Sequence, residues 1–87
     1  MHTDEYEISL SREITVCRKK VNILQKSLSL MEKRFTMTTG TFVKEFSDGK
    51  RDNSNPDFIS WFHDAEAHRI WHERLKQYEE IFFSMKV

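Results

Sequence analysis

Large apolar residues recur along the first third of the chain as Leu10, Ile14, Cys17, Val21, Leu24, Leu28, Met31 and Phe35, at alternating steps of four and three. That spacing keeps all eight on one stripe of an α-helix, the heptad pattern of a helix packed lengthwise on another. No glycine or proline interrupts residues 1 to 39. Thr3 is suited to cap such a helix, and Asp4, Glu5 and Glu7 fall where the positive end of its dipole favours acids. Lys33 and Arg34 suit the opposite end. The pattern predicts one helix over about 4–36, roughly 50 Å long at 1.5 Å per residue.

A second stripe follows later, as Trp61, Ala65, His68, Trp71, Leu75, Tyr78, Phe82 and Met85. It opens on a clear start signal: Asn55 as cap, Pro56 in the first helical position and Asp57 against the dipole. This predicts a helix over about 56–84. Between the two, Thr38 or Thr39 can cap a short helix over about 40–47. Phe42, Val43 and Phe46 share one of its faces, and Gly49 can supply a left-handed stop. Gly40, Gly49 and Pro56 are the chain's only glycines and proline, and they cluster in this middle region. The expected architecture is all-α, an antiparallel helical hairpin with a short corner helix. Its pairing sets Phe35 near Phe58, Leu28 near Ala65, Val21 near His72, Cys17 near Leu75 and Ile14 near Tyr78.

Not every apolar position fits that single seam. Val16, Ile23, Leu30 and Met37 repeat every seven residues on another face of the first helix. Phe62, Ile70, Ile81 and Phe83 are spare on the second. A lone hairpin has one internal seam, so these residues predict a homodimer or a helical protein partner, with hairpins pairing into a four-helix bundle. Val16, Ile23, Leu30 and Met37 are the expected partner-binding residues. Phe42, Phe46, Phe58, Trp61 and Phe62 are expected to form a small core at the corner.

Charge refines this picture without redirecting it. The chain has 87 residues and its 14 basic and 14 acidic side chains cancel, so there is no global pull toward a polyanion. The distribution is uneven: residues 10 to 37 hold seven basic and two acidic side chains, and residues 57 to 80 hold six acidic and three basic ones. Arg12, Arg18, Lys19, Lys20 and Lys26 form a basic flank, which makes a small nucleic-acid-binding regulator the alternative reading. The aromatics lie on the other helix's seam rather than among these residues, which favours the protein-interaction reading.

Chemistry finds little purchase. Asp64, His68 and His72 stand at successive four-residue steps, a spacing that could ligate a divalent metal. His68, however, falls on the core stripe, and Arg69 occupies the place where a zinc-protease motif needs glutamate. No metal, cofactor or small-molecule substrate is therefore expected, and no enzymatic activity, since no glycine-rich loop or nucleophile–base pair is present. The single Cys17 forms no intrachain disulfide and fits a reducing, cytoplasmic setting. No apolar run approaches the roughly 20 residues that span a bilayer, so no membrane role is expected.

Residues 32 to 80 resemble a pattern found in small, largely uncharacterised helical proteins of prokaryotes, some of them antitoxin-like. The matching positions are Glu32, Lys33 and Phe35 at a helix end, then Met37-Thr38, Phe42, Phe46 and Gly49. Asp57, Phe58, Trp61, Arg74 and Leu75 complete it. The resemblance implies a helical hairpin and a role in masking a toxin through helix faces. The chain departs from the pattern at Thr36, where glycine usually precedes the Met, and in the basic character of "GKRDNSN".

Overall fold

Three α-helices carry all the regular structure that the computed structural model describes, over residues 5–85: α1 (Glu5–Phe35), α2 (Thr39–Ser47) and α3 (Pro56–Met85). Thr3 and Asp4 lie outside the described residues. Among those residues there is no strand, and no helix is long and apolar enough to cross a membrane.

The helix ends follow from local chemistry. Thr38 caps α2, its hydroxyl accepting the Thr41 N–H at 3.2 Å. Asn55 caps α3, its side-chain oxygen accepting the N–H groups of Asp57 at 2.9 Å and Phe58 at 3.4 Å. Gly49 stops α2 in the left-handed conformation at φ +77°, with the Lys50 N–H reaching back to the Glu45 carbonyl at 2.8 Å.

The end of α1 repeats this device with an unfavourable residue. Thr36, predicted as the last helical residue, has already left the helix at φ +51°, and the Met37 N–H bonds the Glu32 carbonyl at 3.2 Å. A left-handed conformation costs an L-residue about 1–2 kcal/mol, and Cβ branching worsens the crowding. Glycine recovers that strain but loses about 0.5–1 kcal/mol through its freer unfolded chain. Thr36→Gly should therefore stabilise the protein by about 1 kcal/mol, a rise of about 4–8 °C in Tm for a domain of this size. Thermal unfolding followed by circular dichroism measures it; a variant no more stable than the parent would contradict the left-handed turn.

α1 and α3 lie side by side in opposite directions. Arg34 pairs with Asp57 at 3.0 Å, Ser27 donates to the Asp64 carboxylate at 2.7 Å, and Arg18 pairs with Glu79 at 2.9 Å. The molecule measures 57 × 20 × 19 Å with a radius of gyration of 16.9 Å. A compact chain of this length has about 12 Å, so this is a rod with little interior. Buried side chains are correspondingly few among the described residues: Leu10, Ile14, Cys17 and Leu28 from α1, Phe42 from α2 and Trp61 from α3.

The densest packing is at the corner. Trp61 stacks on Phe42 with ring centroids 3.9 Å apart and planes 4° apart, and on Phe35 at 5.7 Å. The expected neighbours Phe35 and Phe58 meet edge-on at 5.1 Å. Trp61 Nε1 donates to Thr39 Oγ1 at 3.1 Å, so the indole is satisfied although buried. Thr39 also donates its N–H to the Glu32 carboxylate at 2.7 Å, tying the start of α2 to the end of α1. Phe62, expected both among the spare residues of the second helix and in the corner core, stacks on Phe46 at 4.9 Å and belongs to this cluster.

Candidate interaction surface

An α-helix turns 100° per residue, so positions seven apart return to nearly the same face. On α1, Val16, Ile23 and Leu30 occupy such a row and stand 44%, 64% and 69% exposed. The fourth predicted member, Met37, does not join them. The left-handed turn at Thr36 carries the chain off the helix axis, and Met37 packs half-buried against the corner cluster. Its sulfur accepts a hydrogen bond from Arg51 at 3.8 Å. Ile8 is also exposed; eight residues before Val16, it escapes a strict seven-residue reading.

The basic flank divides in the same way. Arg18 is engaged with Glu79 across the α1–α3 seam and helps set register rather than standing free. Arg12, Lys19, Lys20 and Lys26 are all exposed, and none forms an ion pair among the described residues. Arg12, Lys19 and Lys26 each lie one turn before Val16, Ile23 and Leu30 respectively, so basic and aliphatic side chains alternate along one face.

A counterpart on α3 was anticipated only in Ile70; Ile59 and an acidic row beside them were not. Ile59 and Ile70 are exposed on the side turned away from α1. Glu66, Glu73 and Glu80 lie along the same side at seven-residue steps, with Arg69 bridging Glu66 at 3.2 Å and Glu73 at 3.7 Å. The signal was present in the spacing of the acids, but a search for apolar rows passes over it.

The positions considered for metal do not assemble. The Asp64 carboxylate is committed to Ser27, while His68 and His72 stack on each other with centroids 5.9 Å apart. Burial, and after it the neighbouring His72, hold His68 below the ordinary imidazole value. Among the described residues, no group of three or more His, Cys, Asp or Glu side chains is arranged to hold an ion. Cys17 is buried in the seam; burial pushes its thiol up, with Arg74 opposing the shift and Glu13 adding to it. A groove of about 440 Å³ beside the α1–α2 turn is lined by Ser29, Glu32, Lys33, Thr36, Met37 and Thr38. Its one carboxylate, Glu32, is already spent on the Thr39 N–H.

Comparison of the chain with family models, with curated proteins and with solved structures finds no match.

Proposed function

We propose that this chain is a non-catalytic protein–protein interaction module, a helical hairpin whose outer faces bind a second helical surface. The observation that carries the reading is the row Val16, Ile23 and Leu30, three large aliphatics exposed at regular spacing on a long helix. Covering one such side chain gains about 1.5–3 kcal/mol, and a rod with one internal seam has no other means of covering them. A second hairpin supplies the missing surface, and a four-helix bundle is one form the product can take. The antitoxin-like role, in which the covered surface belongs to a toxin, is the most concrete version and rests on the resemblance of residues 32 to 80. The lone buried thiol fits a reducing, cytoplasmic setting.

The nucleic-acid reading keeps one observation in its favour, the exposed Arg12, Lys19, Lys20 and Lys26, none of which forms an ion pair among the described residues. A gel shift against duplex DNA and structured RNA at low salt, abolished at higher salt, would support it.

The module reading is tested with Ile23→Glu combined with Leu30→Glu. Both sites are exposed, so the isolated subunit should lose no more than about 0.5 kcal/mol. Self-association by light scattering, or stoichiometric capture of a co-expressed partner, should be lost. A parent chain that neither associates nor captures any protein sinks the reading.

A further inference from the structure

The exposed face of α1 is not simply apolar. Arg12, Lys19, Lys26 and Lys33 repeat every seven residues, as do Val16, Ile23 and Leu30. Taken together the two sets step alternately by four and three residues, a second heptad seam on the same helix. It lies roughly 160° around α1 from the seam that meets α3, at 100° per residue. No carboxylate falls on it between Arg12 and Lys33.

Such a seam cannot close on its own image. Two α1 faces would bring two basic rows together with nothing to neutralise them, and the aliphatics between are about 10 Å apart, too sparse to override that. The outer face of α3 is the reverse. It carries Glu66, Glu73 and Glu80 at the same seven-residue period, with Ile59 and Ile70 among them. Arg69 bonds only the Oε2 atoms of Glu66 and Glu73, leaving an oxygen on each to accept a further donor. Laid parallel in one register, Lys19 meets Glu66, Lys26 meets Glu73 and Lys33 meets Glu80, while Ile23 meets Ile70. A single shift thus satisfies three charge pairs and one aliphatic layer.

We propose that the outer face of α1 docks on the outer face of α3 of a second copy, basic row against acidic row. This rests on the interaction-module reading and names its partner. Each copy offers one row of each sign on opposite sides, so the contact is head-to-tail and leaves both ends open for further copies. Assembly is weak, grows with concentration, and fades as salt rises from about 0.01 to about 1 M and the screening length falls from about 30 to about 3 Å.

Sedimentation velocity tests the proposal on four full-length chains: the parent, a triple variant with Lys19, Lys26 and Lys33 each changed to Glu, a triple variant with Glu66, Glu73 and Glu80 each changed to Lys, and the combined sixfold swap. The parent should form salt-sensitive dimers and larger species. Each triple variant carries two rows of like sign and should associate about tenfold or more weakly. An equimolar mixture of the two triples, and the sixfold swap alone, should regain association. Circular dichroism verifies that each is helical; should a reversal disturb folding, the corresponding Gln variants and the parent's salt series decide. A parent that stays monomeric at low salt, whether or not it shifts on nucleic acid or captures another protein, overturns the docking. Association that both triple variants retain, but Ile23→Glu loses, overturns it too and leaves the interaction-module reading intact.

Discussion

Trp61→Ala should destabilise the protein by about 3–5 kcal/mol, against a total of about 4–13 kcal/mol for a chain of this length. The indole is fully buried, and it is where all three helices meet. From α3 it stacks on Phe42 of α2 and Phe35 of α1, and its N–H holds Thr39 at the start of α2. An elongated molecule with so small an interior has little to collapse into the vacated space, which places the cost toward the top of the range. Chemical denaturation followed by circular dichroism should find the variant largely unfolded at ordinary temperature or with a greatly reduced midpoint. Trp61→Phe separates the contributions: it keeps most of the stacking and gives up the bond to Thr39, for about 1–2 kcal/mol. An alanine variant within about 1 kcal/mol of the parent would mean that the corner cluster is not what joins the helices.

Phe42→Ala should cost a similar amount, about 3–5 kcal/mol, but its damage should be distributed differently. α2 has nine residues, shorter than the roughly 12–15 that a helix in water needs to persist unaided. It is held by Phe42 against Trp61 and Phe58, and by Phe46 against Phe62. Without Phe42 the principal contact is gone, and the amides of residues 39–47 should exchange with solvent well before those at the middle of α1 and α3. Native-state hydrogen exchange reads this residue by residue. Uniform loss of protection across all three helices would show that α2 is an inseparable part of the cooperative unit.

The ends of the helices were legible because each is written in one or two residues with a single strong preference. Thr38, Gly49, Asn55 and Pro56 need no knowledge of the distant chain to do their work. The alternating steps of α1 were equally plain, since every member of the stripe is covered, Leu10, Ile14, Cys17 and Leu28 deeply and Val21, Leu24, Met31 and Phe35 in part. Thr36 was not legible, because threonine is among the last residues one would place in a left-handed turn. The resemblance pointed to the position, in that glycine is usual there, yet the seven-residue count runs straight through it. That count is why Met37 was grouped with Val16, Ile23 and Leu30: periodicity holds only while the helix does. Phe62 could be read both as spare and as part of the corner core, because a two-helix pairing offers it no neighbour while Phe46 of α2 does; the corner reading is the one that holds. The acidic row of α3 went unseen because an amphipathic reading weighs apolar residues and treats a charged face as solvent.

The order in which the chain assembles follows from where its tightest contacts sit. Phe35 and Phe58 close a short loop, whereas Arg18 and Glu79 are separated by 61 positions. Joining distant positions costs more chain entropy than joining near ones, unless the intervening segment is already tied. Folding should therefore nucleate at the aromatic corner and zip toward the open ends, each turn shortening the loop left for the next. In kinetic terms, changes at Phe35, Phe42 or Trp61 slow refolding, while changes near Cys17 or Glu79 chiefly hasten unfolding.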